Sequence, residues 1–476
     1  MGTIASSGST TITPRYSRLR RRIVLAVLVL LCLIAGAVVG IVHWAGDDDA
    51  SPSAQATVQV PGAQLPTIAE PSPVLAALSK DAAEPSPAAV SAALGPKLST
   101  SALGVDPVAT VVDVATGDVL LDDRASRPAT PASTAKLLTS VAALTTLGPE
   151  RTFETKVVAG AQPGQVVLVG GGDPTLSTTS PSQSYPGAPT VADLAGQVQA
   201  ALAGVPVTGV VVDDGLFTGP TTAPSWGPGD APSSYAAPVT ATAVDGARIN
   251  PGSPARSGSP STAAGSALAA ALGAPRVPVT PGTAPPGARV LGSVRSAPVA
   301  RLVEQALAQS DNLLAEVLGR QVALASNQPA SFEGTARAVP AALTEAGFDL
   351  TGVVLNDGSG LSERDRVTAQ LLGDLVRKAA DGSLPKAAAV VSGLAVAGYD
   401  GTLADRGDAD PATAPGSVRA KTGTLLGVHG LAGTALTADG RLLAFAVVAD
   451  QVGGSEQAAE NALDGVAETL AACGCR

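Results

Sequence analysis

The chain has 476 residues and a formal charge of −10, from 40 acidic against 30 basic side chains, so its body offers no basic face for nucleic-acid phosphates. At one domain per ~150 residues it is long enough for two or three domains, and with aromatics at 2% and AVILMFWYC residues at 45% its core must be built from Ala, Val and Leu. Two histidines exclude most Ser/His/Asp and three-ligand zinc arrangements, and three cysteines make no disulfide framework.

Residues 1–22 form a basic tail with Arg15, Arg18, Arg20, Arg21 and Arg22, and residues 23–42 are an uncharged apolar run. As a helix the run is about 30 Å long, enough to cross the hydrocarbon core. The arginines put the N-terminus in the cytoplasm and the rest of the chain on the extracytoplasmic side of the cell membrane. A cleaved signal sequence, leaving a secreted protein, is the competing reading, although such apolar stretches usually run only ~7–15 residues. Residues 43–75 are rich in Pro, Ser and Ala without sustained periodicity and read as a linker.

The folded part is predicted as a split domain, 76–150 and 295–476, around an insert at 151–294. Ala109 to Asp122 reads as two strands flanking a turn at Thr116-Gly117-Asp118. A helix follows Pro131, opening on Ser133-Thr-Ala-Lys136 and stopping at Gly148-Pro149. The insert has strand-like runs at Gln165 to Val169 and Thr208 to Val212, with a Pro/Gly/Ser-rich stretch at Pro251 to Gly287. From Pro298 apolar residues recur at helical spacing, and a second helix runs from Asn312 to about Ala325, so Ser310-Asp-Asn312 falls at a helix break that Ser310 or Asp311 can cap. Lys421 to Leu426 reads as a strand, Leu431 to Thr437 and Arg441 to Val448 as a hairpin, and Ser455 to Ala472 as a terminal amphipathic helix. The predicted class is α/β of the α+β kind: an antiparallel sheet fed from both ends of the domain, a helical body, and a large mostly β insert.

Ser-x-x-Lys, Ser-x-Asn and Lys-Thr-Gly in this order point to a serine acyl enzyme. Only seven lysines occur, and two of them, Lys136 and Lys421, fall inside these words. Ser133 is the candidate nucleophile. Lys136, three residues on, is its candidate base, made available as a neutral amine by desolvation and by a second cation such as Lys421. Ser310 is assigned to relay a proton to the departing amine, and Asn312 to hold the substrate amide and the Lys136 side chain. An edge strand bearing Lys421, Thr422, Gly423 and Thr424 would pair with an extended peptide. There Lys421 and the hydroxyls of Thr422 and Thr424 take a terminal carboxylate, and the N–H groups of Ser133 and Thr424 make the oxyanion hole. No cofactor or metal is needed. Ser383-Leu-Pro-Lys386 also matches Ser-x-x-Lys, but Pro385 obstructs helical presentation.

With these motifs, and with Leu168-Val-Gly-Gly-Gly-Asp-Pro-Thr-Leu176, Ser310-Asp-Asn-Leu-Leu-Ala-Glu316, Asn356-Asp-Gly-Ser-Gly-Leu-Ser362, Leu394-Ala-Val-Ala-Gly398 and Gly401-Thr-Leu403, the chain resembles the D-alanyl-D-alanine carboxypeptidase/endopeptidase family, the class C low-molecular-mass penicillin-binding proteins of peptidase family S13. The likeness spans about Pro73 to Cys473. It implies a transpeptidase-like domain interrupted after its first catalytic helix, peptidoglycan stem peptides ending in D-Ala-D-Ala as substrate, release of D-Ala or cleavage of crosslinks, and β-lactams as covalent inhibitors of Ser133. A β-lactamase is the nearest rival, though no Glu here has Asn four positions on. A non-catalytic peptidoglycan-binding protein is the rival of another class.

Overall fold

The computed structural model describes residues 82–406 and 416–475. The predicted basic tail, apolar run and linker lie outside the described residues, among which no helix is long and apolar enough to cross a membrane.

In chain order, helix α1 (Pro87–Leu98) is capped by the Ser86 hydroxyl, and β1 (Val108–Asp113) and β2 (Val119–Asp123) follow as an antiparallel pair. The two-residue strand β3 (Pro128–Ala129) leads through a 3-10 turn, Ala132–Ala135, into α2 (Lys136–Leu147). The next segment holds β4 (Glu154–Ala159), β5 (Gln165–Val169), α3 (Val191–Leu202), β6 (Gly209–Asp213), α4 (Pro260–Ala271), β7 (Val279–Pro281) and β8 (Val290–Arg295). Helices α5 (Val299–Ala308), α6 (Asn312–Ala325), α7 (Phe332–Glu345), α8 (Ala369–Ala380) and α9 (Ala388–Gly393) make the helical body, with β9 (Val367–Thr368) paired to β3. Strands β10 (Ala395–Val396), β11 (Val418–Leu425), β12 (Val428–Leu436) and β13 (Leu442–Ala449) precede α10 (Glu456–Ala472), and a disulfide joins Cys473 to Cys475.

Strands from both ends of the chain make one antiparallel sheet in the order β10-β11-β12-β13-β1-β2. The period of two along a strand decides what each face meets. On β13, Leu443, Phe445 and Val447 pack with α1 and α10, whereas Ala444, Ala446 and Val448 pack with the helical body. Small residues on the second face let the helices approach closely, and the sheet is covered on both sides.

The segment between α2 and α5 builds a second sheet, β7-β6-β5-β4-β8, in which β5, β6 and β7 are parallel and β4 is antiparallel to both neighbours. The expected strands are accompanied by two 12-residue helices, α3 and α4, which pack on this sheet. Residues 214–259 carry no strand or α-helix; they fold back along α6 and α7, where Trp226, Ala236 and Val239 join Leu313, Val317 and Phe332 in a separate apolar cluster.

Candidate active site

Ser133 lies in the 3-10 turn rather than inside α2 itself. In such a turn residues three apart eclipse, and the Lys136 ammonium nitrogen reaches Ser133 Oγ at 2.8 Å. Ala132, just before the serine, is a non-glycine residue in the left-handed region at φ +46. Strain of this kind persists only where the surroundings hold it. Here Gly360 packs so close that a Cβ on it would stand 1.9 Å from Ala132 O, and a Cβ on Gly423 of β11 would stand 2.8 Å from Pro131 O.

Helix α5 ends in a Schellman arrangement: Asp311 N–H donates to Ala306 O, Ser310 N–H donates to Leu307 O, and Ser310 takes φ +52, a place usually given to glycine. Asp311 then caps α6 through Leu314 N–H, which starts the helix at Asn312. The helix break therefore holds Ser310 partly exposed and Asn312 against Lys136.

Lys136 is fully buried. It donates to Asn312 Oδ1 at 2.5 Å and to the Ser359 carbonyl at 2.8 Å. Asn312 Nδ2 in turn donates to Tyr235 O, which fixes the orientation of the amide. Burial brings the Lys136 pKa down to about 8, against the opposing pull of Asp357, Glu316 and Asp311 and with help from Arg256. Of the two expected causes, desolvation and a neighbouring cation, burial is thus the larger. The repulsion between the two lysines is expressed at Lys421, whose pKa falls well below the lysine range through burial, then Lys136 and Arg406.

Strand β11 is not the edge strand that was expected. The two-residue β10 lies outside it, pairing only with Arg419 and Ala420, so among the described residues the outer side of Lys421 to Leu425 is free of a partner strand. Lys421 is buried and turned back on its own strand, donating to Thr422 O, while Thr422 Oγ1 donates to Thr402 Oγ1 and Thr424 is exposed. His429 stands across the ladder from Thr424, buried, its pKa held down by that burial, and bonded to neither Ser133 nor Lys136.

Several contacts that hold the site were not expected from the sequence, which offered Asp311 only as a helix cap. Asp311 is buried among the Tyr185 hydroxyl, Arg256 and Arg248. Burial alone would raise its pKa, but the two guanidinium groups bring it down to about 2. Asp357 accepts from the N–H groups of Ser359, Gly360 and Ser362 and from Trp226 Nε1, so it shapes the turn that presents the Ser359 carbonyl. Tyr185, Trp226, Tyr235, Arg248 and Arg256 all belong to the segment between α2 and α5. The Asn356-Asp-Gly-Ser-Gly stretch was the available signal for the turn; the arginines had none.

A profile of the D-Ala-D-Ala carboxypeptidase 3 (S13) family matches residues 89–274 and 253–472. The chain belongs to this family. Among curated relatives, a carboxypeptidase of Mycobacterium tuberculosis is 41% identical over 83% of this chain and 86% of its own length. Carboxypeptidase DacB of Mycolicibacterium smegmatis is 39% identical over 97% of this chain and 99% of its own length. The penicillin binding protein 4 (dacB) structure from Haemophilus influenzae superposes with a TM-score of 0.63 at 23% identity, covering 79% of this chain and 97% of that one, and shows the same fold. As an S13 family member the chain is a peptidoglycan hydrolase, a serine-type D-Ala-D-Ala carboxypeptidase and a penicillin-binding protein.

Proposed function

We propose that Ser133 is the acylated nucleophile and Lys136 its base. The hydrogen bonds around Lys136 carry this reading. Asn312 Oδ1 and Ser359 O can only accept, so they commit two N–H groups of Lys136. The remaining tetrahedral position faces Ser133 Oγ. In the ammonium form it is a proton; in the amine form, accessible from about pH 8, it is a lone pair aimed at the Ser133 O–H.

Ser133 Oγ then attacks the carbonyl between the two terminal D-alanines and passes its proton to Lys136. Ser310 relays that proton from Lys136 to the departing D-Ala amine, and water hydrolyses the ester and restores Ser133. Thr422, Thr424 and Lys421 take the substrate's terminal carboxylate, Lys421 turning outward from Thr422 O to do so. Asn312 and the open outer side of β11 at Gly423 hold the peptide backbone, with the oxyanion in the N–H groups of Ser133 and Thr424. β-Lactams acylate the same serine. The Arg-flanked run 23–42 supports anchorage of this domain on the outer face of the cytoplasmic membrane, which membrane fractionation of the full chain tests.

D-Ala release from a stem pentapeptide, assayed beside cleavage of a crosslinked dimer, tests the activity. D-Ala release lost in Ser133→Ala is the expected result. Steady β-lactam turnover far faster than D-Ala release contradicts it.

A further inference from the structure

Glu316 sits one helical turn after Asn312 on α6 and is completely buried. Residues four apart share a helix face, so the side chain that touches Lys136 directly and Glu316 look the same way. Glu316 touches neither Lys136 nor Ser133 by hydrogen bond. Both its oxygens accept from Gly358 N–H, at 3.1 and 3.0 Å, and Oε1 also accepts from Ser359 N–H at 2.8 Å. Across the same turn, Thr139 Oγ1 of α2 donates to Gly358 O.

We propose that Glu316 is a positioning residue for the base: it grips the 358–359 backbone from the N–H side so that the Ser359 carbonyl on the other side of the turn is held on Lys136, and its negative charge sustains the ammonium form of that lysine. The inference rests on Lys136 being the base.

The chemistry of the partners supports a carboxylate. Every hydrogen bond to Glu316 comes from a donor, and none joins it to an acceptor that would take an acid proton. Burial and then Asp357 push its pKa up to about 8, against the bonds from Ser359 and Gly358 and the charge of Arg320, so the carboxylate is populated in the same pH range in which Lys136 loses its proton. The charged groups that face Lys136 are Asp357, Glu316 and Asp311, which favour its protonation, and Arg256 and Lys421, which do not. Arg320, on the same helix as Glu316, is held by the carbonyls of Thr218, Pro220 and Ala330 and does not satisfy the carboxylate by a hydrogen bond.

The sign follows directly. Removing a negative charge near an ammonium lowers its pKa, so the amine appears at lower pH but is a weaker base. Glu316→Gln keeps the length and removes the charge; Glu316→Asp keeps the charge and withdraws the reach.

The test is the pH profile of the second-order rate constant for acylation by a fluorescent penicillin, on the full chain, with thermal unfolding as the folding control. The expected result for Glu316→Gln is an acidic limb moved to lower pH by about one unit and a plateau lowered at least ~10-fold. For Glu316→Asp the expected result is a lowered plateau with the limb in place, and it carries the test if the Gln variant does not fold. A folded Gln variant whose limb has not moved overturns the charge role, and a folded Asp variant with the native plateau overturns the grip. A wild-type profile with no acidic limb near pH 8 instead faults the assignment of Lys136.

Discussion

Lys136 is defined by what surrounds its nitrogen: two oxygens that can only accept, one hydroxyl, and no solvent. The role proposed for it has a direct pH consequence. Because burial lowers its pKa to about 8, kcat/KM for D-Ala release should rise with pH through that value and level off above it, since the base works deprotonated. A flat profile from pH 6 to pH 9 would contradict this. Lys136→Ala should reduce acylation by the ~10²- to 10⁴-fold expected for a lost general base. Lys136→Arg should do no better, because guanidinium stays protonated. The sequence made Ser133, Lys136, Ser310 and Asn312 legible because their chemistry needs fixed residue types at short spacings. It offered Asp311 as a cap of α6, but it could not show the ion pairs of Asp311 or the contacts of Asp357 and Glu316, since carboxylates that hold a turn look like any other Asp or Glu until their partners are known.

At the scale of elements, two close approaches place the nucleophile turn. Gly360, at φ +77, presses on Ala132, and Gly423 of β11 presses on Pro131. Gly360→Ala meets both a forbidden conformation and a backbone oxygen, and should abolish penicillin labelling and lower the melting temperature by several degrees; native labelling would contradict the packing. The sheet has its own fastening, the buried pair between Asp113 at the end of β1 and Arg441 at the start of the β13 hairpin arm, with Asp113 also accepting from Ala115 and Thr116 N–H. Asp113→Ala removes the carboxylate that takes two N–H groups of Arg441 and should cost about 3 kcal/mol in chemical denaturation; a loss under ~1 kcal/mol would contradict it. Burial pushes the Asp113 pKa up, but Arg441 and the two N–H groups hold it below 3.8. A depressed carboxylate stabilises above its unfolded pKa, so this contribution is present at neutral pH and lost as pH falls through the folded value. Periodicity made the strands and helices on either side of the insert legible, but not the helices α3 and α4 within it. The short β10 was not: two residues carry no period, and their pairing is visible only in three dimensions.

For the molecule as a whole, the segment between α2 and α5 braces the candidate site. Its sheet has a core of its own, but Tyr185, Arg248 and Arg256 secure Asp311, Trp226 secures Asp357, and Tyr235 O orients Asn312. Arg256→Met should therefore slow acylation at least ~10-fold although it lies over a hundred positions from Ser133, because Asp311 loses a buried countercharge and the helix break loses its anchor. Unchanged acylation kinetics in the folded variant would make the segment dispensable. From sequence the gap after Ser133 pointed to an insert, but long-range contacts between a Pro/Gly/Ala-rich segment and a helix break have no local signature. The most direct measurement is mass spectrometry of the full chain after brief exposure to penicillin, with peptide mapping of the adduct. One covalent adduct, on Ser133 and absent from Ser133→Ala, is the expected result; an adduct on any other residue, or equal labelling of the Ala variant, would contradict the assignment.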